Sequence, residues 1–204
     1  LQHALGDAPT SDEPLDDMIA RRREFLVGYQ SEELAKRYAD RLAAVRAAED
    51  NLGGDGSLTT AIAKSYFKLL AYKDEYEVAR LHTQTDFLAS IKKDFGDGAK
   101  LRFHMAPPLL SREKDARGRP RKKEFGRWML PLFRVLASLR GLRGTAFDLF
   151  GKTAERRMER ELIVEFEQLI DEFLGDSTVE NAGRTADIAA MYMDVRGYGP
   201  VKEP

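Results

Sequence analysis

TAERRMERELIVEFEQLIDEFL, residues 153–174, is the stretch on which the fold class turns. Its apolar residues Met158, Leu162, Phe166, Leu169, Ile170 and Phe173 recur at spacings of one, three and four, the period that gathers side chains on one face of an α-helix. At 1.5 Å per residue such a helix runs for roughly 33 Å. A stripe of that length has to be buried against other elements, so the expected class is mainly α, a helical bundle-like domain.

The neighbouring sequence supplies partners of the same kind. Ser177 with Glu180 predicts a capping box ahead of a last helix whose inner face is small: Ala182, Ala186, Ala189 and Met193. Toward the N-terminus, Leu15, Met18, Ile19, Leu26 and Tyr29 predict a first helix. Leu34, Tyr38, Leu42 and Val45 predict a second from Ser31 to about Asn51, with Arg37, Asp40, Arg41 and Arg46 outward. Leu52–Gly56 reads as a turn, after which Ser57 is placed to cap a third helix with Leu58, Ile62, Tyr66, Leu69 and Leu70 inward. Glu124–Arg140 has helical spacing through Phe125, Trp128, Leu132, Leu136 and Leu139, with a kink expected at Pro131.

One segment departs from this period. From Lys100 to Met105 apolar Leu101, Phe103 and Met105 alternate with polar Lys100, Arg102 and His104, which predicts one short β-strand near residues 100–106, ended by Pro107 and Pro108. A strand needs an edge to pair with, and 195–202 is the extended-looking candidate within the chain, a missing domain being the other. The domain reading is a linker-like run at 1–14, then a single mainly helical domain over 15–204, with possible sub-modules 15–95 and 96–204. The non-Met start and the opening Gly6–Pro14 read like an excised segment.

Composition limits the function classes. The 204 residues carry 33 Lys and Arg against 34 Asp and Glu, a net charge of -1, so no global field draws the chain to nucleic acid or anionic lipid. There is no cysteine, which excludes disulfides, thiolate catalysis and cysteine ligation of iron–sulfur clusters within these residues. No apolar run approaches the roughly 20 residues that span a bilayer, and no signal peptide opens the chain; a cytoplasmic location is the expectation.

Short motifs fare poorly as chemistry. Gly151-Lys152-Thr153 resembles the end of a phosphate-binding loop, but position 146, where its first glycine belongs, is Ala146; an ordinary helix cap is the expectation. Gly54-Asp55-Gly56 and Gly96-Asp97-Gly98 resemble the opening of the thiamine diphosphate motif. The asparagine it requires further on is absent, since the chain has only Asn51 and Asn181. His3, His82 and His104 share no ligand spacing. A basic run, Arg112 to Lys123 with Arg127, reads as a solvated loop or as a dock for an anion. Arg156, Arg157 and Arg160 with Glu155, Glu159 and Glu161 read as surface ion pairs.

Larger blocks carry more information. YKDEYEVARL at 72–81 resembles a block at the C-terminal end of the indolepyruvate ferredoxin oxidoreductase family. The same region of that family is similar at 100–110 (KLRFHMAPPLL), 118–129 (GRPRKKEFGRWM), 139–151 (LRGLRGTAFDLFG), 155–161 (ERRMERE) and 196–203 (RGYGPVKE). The resemblance implies a parent enzyme that uses thiamine diphosphate, magnesium and iron–sulfur clusters to convert an aryl 2-oxoacid with coenzyme A to an acyl-coenzyme A while reducing ferredoxin. It also implies preceding catalytic domains in the same polypeptide and a homo-oligomeric parent. No catalytic, metal or cofactor residue transfers to this chain, which by itself is expected to bind none of these cofactors, no nucleic acid and no membrane. Its expected work is that of an interface or scaffold domain, with Tyr72, Lys73, Asp74, Glu75, Glu77, Arg80, His82 and His104 as candidate interface residues. The alternative is an accessory module in which Arg119, Lys122 or Lys123 contacts the phosphates of coenzyme A.

Overall fold

A computed structural model describes residues 13–96, 98, 100–105 and 123–195. Among them are eight α-helices and one two-stranded antiparallel sheet, so the fold is mainly α with a small β element. None of these helices is long and apolar enough to cross a membrane. The chain divides into two compact units, Glu75–Arg140 and the flanking Leu1–Asp74 with Gly141–Pro204. The boundaries of these units fall at 74/75 and 140/141.

The discontinuous unit is built from α1 (Leu15–Tyr29), α2 (Glu32–Asn51), α3 (Ser57–Leu70), α7 (Ala154–Gly175) and α8 (Val179–Met191). Helix α3 lies at its centre, meeting the other four. That position explains why Leu58, Ile62, Ala63, Tyr66, Phe67 and Leu70 are all buried, more than one stripe of a helix. Full burial of each large apolar side chain stabilises by about 1.5–3 kcal/mol, so this shared core dominates the energetics of the unit. Polar threads run through it. Arg22 donates to the Ala63 carbonyl at 2.9 Å, Tyr38 to the same oxygen at 3.1 Å, and Ser65 to the Ala189 carbonyl at 2.6 Å. At the rim, Arg37 forks onto Glu167 at 2.7 and 2.5 Å, and Arg41 one turn on forks onto Asp171, tying α2 to α7. Arg37 and Arg41 thus point away from the core, as read, but are engaged rather than free.

Several local expectations are corrected here. The buried line of α7 is Glu159, Ile163, Phe166, Ile170 and Phe173; Met158, Leu162 and Leu169 are only half-buried. The stripe is rotated because Glu159 enters the interior paired to Arg156 Nη1 at 2.5 Å, which offsets the cost of burying a carboxylate. Ser57 does not cap α3. Instead the buried Glu49 of α2 accepts from the amides of Leu58 at 3.0 Å and Thr59 at 2.9 Å, satisfying orphan donors from a neighbouring helix. Thr178, not Ser177, caps α8 by accepting from the Asn181 amide at 3.2 Å, while Ser177 donates back to the Phe173 carbonyl and closes α7. Met193, read as inward, is exposed.

The unit Glu75–Arg140 holds α4 (Glu75–Thr83), α5 (Phe87–Phe95), β1 (Phe103–Met105), β2 (Lys123–Phe125) and α6 (Met129–Ser138). It has its own core of Ala79, Phe103, Met129, Leu130, Phe133 and Ala137. The partner of β1 is β2, with Phe103 opposite Phe125, His104 opposite Glu124 and Met105 opposite Lys123. That strand lies in a stretch read as the end of a basic loop and the start of a helix. The helix begins five residues later than its apolar spacing indicates, at Met129, so Pro131 falls in its first turn. Its missing amide is one of the orphans there, and no kink is required. The later start also rotates the face: Met129, Leu130, Phe133 and Ala137 are buried, and Trp128 and Leu132 stand outside. Of the strand-partner candidate 195–202, residues 196–202 lie outside the described residues, as do Pro107 and Pro108.

Candidate functional site

Where the structure places the charged block around residue 74 decides what that block can do. Tyr72 and Asp74 are buried in the discontinuous unit. Arg143 forks onto the Asp74 carboxylate at 2.6 and 2.9 Å, donates to the Tyr29 carbonyl at 2.9 Å, and stacks its guanidinium 3.7 Å from the Tyr29 ring centroid. The Tyr29 hydroxyl in turn donates to the Tyr72 carbonyl at 2.8 Å. Burial opposes the charge on Arg143, but the Asp74 hydrogen bonds and the flanking tyrosines overcome it and raise the guanidinium pKa above its ordinary value. Burial, reinforced by the Asp74 charge, pushes the Tyr72 phenol up to about 12. Lys73 contributes its backbone, accepting a weak hydrogen bond from Arg156 at 3.4 Å.

Arg143 stands at the head of an ordered loop. Asp148, also buried, accepts from the amides of Gly144 at 2.8 Å, Phe150 at 3.1 Å and Gly151 at 3.0 Å, so one carboxylate ties the two ends of the loop backbone together. Gly151 is required there: a Cβ would lie 2.7 Å from the Asp148 carboxyl carbon. Thr153 then caps α7 by accepting from the Arg156 amide at 3.3 Å, and Arg160 donates to the Gly151 carbonyl at 2.7 Å. Gly151-Lys152-Thr153 is an ordinary helix start, and the arginine cluster is absorbed in local structure except for exposed Arg157. The loop so held presents two apolar side chains, Phe147 at 77% and Leu149 at 63% exposure. Two exposed hydrophobes thus sit on a doubly anchored loop.

The unit Glu75–Arg140 spends its charges similarly. Glu77, fully buried, takes a two-pronged contact from Arg80 at 2.7 and 2.8 Å. His82 lies among aromatic rings, with centroids 4.8 Å from Phe87, 5.2 Å from Phe103 and 5.7 Å from Phe133, so it belongs to the second core. Glu75 is half-buried; His104 and Lys123 are exposed on the sheet, where Glu124 accepts from Arg102 at 2.6 Å. Arg119 and Lys122, with the rest of the basic run through 122, lie outside the described residues, as do His3, Asp97 and the 196–203 block. Among the described residues no group of three or more His, Asp or Glu side chains is placed to hold a metal ion.

The structure thus brings Asp74 to Arg143 beside Tyr72 and pairs Glu77 with Arg80, and it leaves Glu75, His82 and His104 in separate settings. Outward apolar side chains on rigid elements stand out instead, Phe147 and Leu149 on the loop and Trp128, Leu132 and Val135 on α6. The loop residues sit in the sequence block 139–151, whose glycines and lone Asp148 were the available signal.

A family of unknown function, DUF6537, matches residues 15–204. The chain belongs to that family. No curated protein and no solved structure matches it. The DUF6537 match covers both units and both apolar displays.

Proposed function

We propose that this chain is a non-catalytic C-terminal interface or scaffold domain of an indolepyruvate ferredoxin oxidoreductase-like enzyme. In that enzyme the preceding domains of the same polypeptide hold thiamine diphosphate, magnesium and iron–sulfur clusters and perform the oxidation of an aryl 2-oxoacid to an acyl-coenzyme A with ferredoxin as acceptor. The ordered series of sequence blocks from 72 to 203 supports the assignment to that enzyme. The structural observation that carries the interface role is the loop 143–151. The buried Arg143–Asp74 pair and the Asp148 brace lock its backbone, yet its largest side chains face solvent. A protein gains nothing in its own stability from displaying Phe147 and Leu149 on a rigid support, whereas a docking surface is made of such anchors.

Reading the reading frame upstream of Leu1 tests the enzyme assignment: catalytic domains carrying a complete thiamine diphosphate motif and cluster cysteines are expected, and their absence overturns it. Titrating the chain with coenzyme A by calorimetry separates the scaffold from the accessory-module role. No heat is expected; a saturable heat lost in Lys123→Ala would replace the scaffold role by phosphate contact.

A further inference from the structure

The two units differ sharply in charge. Residues 75–140 carry 15 Lys and Arg against 8 Asp and Glu, net +7, and the rest of the chain carries 18 against 26, net -8. The near-zero total hides this segregation. Within the basic unit, α6 is apolar on both sides. Its inner residues pack in the second core, while Trp128, Leu132 and Val135 are 65%, 53% and 58% exposed on the other side. A helix apolar all round is covered on both faces in its working state. No acidic residue occurs between Phe125 and Phe147, and the exposed charges in that stretch are Arg127 and Arg134. Trp with Arg is the composition of an interface core, and arginine forks match carboxylates.

A surface of the opposite character lies on α8. From Glu172 to Asp194 there are five acidic residues and one basic residue, and exposed Val179 and Met191 lie among them with Glu180 and Asp187. From this charge complementarity we infer that α6 of one copy docks on α8 of a second copy, Leu132 and Val135 against the apolar spots and Arg127 and Arg134 against the carboxylates. The inferred exchange is reciprocal, each copy giving one α6 and one α8, and closes as a two-fold dimer; a ladder of larger species in place of a dimer overturns that closure. Doubling the contact matters, since a single short helix face is well short of the roughly 800 Å² per partner of a stable interface. This deepens the interface reading by naming one partner, and it rests on that reading only in the sense that both need exposed surfaces. The enzyme assignment is tested by the reading frame and this contact by sedimentation, so either can fail alone.

The test is sedimentation equilibrium of the 204-residue chain at 1–100 µM, concentrations chosen to span weak to tight association, on the order of µM. A monomer–dimer equilibrium weakened at least about tenfold between 50 and 500 mM NaCl is expected. Arg134→Glu and Asp187→Arg should each weaken the dimer by about tenfold or more, and the double variant should recover most of the loss. Both positions are exposed, and unchanged circular dichroism and melting show that the variants fold. Leu132→Ser supplies a second, uncharged disruption. A monomer at every concentration overturns the inference, as does a dimer indifferent to all three variants or singles that the double variant fails to rescue. Flotation of a purely monomeric chain with phosphatidylserine vesicles would assign the α6 face to a membrane instead.

Discussion

Replacing Arg143 by Met is the most informative single perturbation of the discontinuous unit. The side chain is 5% exposed and makes two charge-assisted bonds to Asp74, one bond to the Tyr29 carbonyl and a stacking contact with the Tyr29 ring. Methionine matches the stem of the side chain and takes from the buried Asp74 carboxylate the countercharge that Arg143 supplies. Removing one partner of such a pair costs about 3–5 kcal/mol, against a total stability of about 5–15 kcal/mol for an ordinary domain. Asp74→Leu should cost a similar amount, because it strands the guanidinium. The double variant should cost less than the sum by about 2–3 kcal/mol, since two apolar groups can share the site without a stranded charge. Urea unfolding followed by far-ultraviolet circular dichroism gives all four corners of this cycle. Simple additivity, or a single-variant cost under about 1 kcal/mol, would refute the view that the pair pins the loop to the helices.

Gly151→Ala should destabilise by about 1–3 kcal/mol, since the new methyl displaces the Asp148 carboxylate from its amides; hydrogen exchange should speed at the Gly144 and Gly151 amides and not within α2. Glu49→Ala should cost about 1–3 kcal/mol by orphaning the Leu58 and Thr59 amides at the buried start of α3, read as a drop in melting temperature; Ser57→Ala should leave it within about 1 °C. The Tyr72 contribution to stability should be constant below pH 10 and be lost as pH rises toward 12, because the folded chain keeps the Tyr72 proton that the unfolded chain has already released; the alkaline fall should be smaller in Tyr72→Phe, by about 2–3 kcal/mol at pH 12, in denaturant titrations at fixed pH.

The residues that form α1, α2, α3 and α7, and the alternation of β1, are legible in the chain because each rests on neighbours a few positions apart. Helical period, a serine ahead of α2 and glycine turns are local facts, and the absence of cysteine is a fact of composition. Even so, periodicity names an apolar stripe without fixing its centre. Glu159 enters the interior with Arg156, whose guanidinium lies over the distant Tyr72 ring, and Arg22 enters where the distant Ala63 carbonyl receives it. The α6 helix shows the same limit: its apolar residues are too many for one face, and only packing against α4 selects Phe133 over Leu132.

What no window of sequence contains is a pairing across the chain. Asp74 and Arg143 are 69 residues apart, Arg37 and Glu167 are 130 apart, and β1 meets a three-residue partner buried in a run that reads as basic loop. The charge segregation between units is likewise invisible until their boundaries are known, because the basic segment is inserted within an acidic one and the two nearly cancel in the total. Local propensity specifies which residues become helix; long-range burial and countercharge choose which side of each helix faces inward, and thereby which side chains remain to meet another molecule.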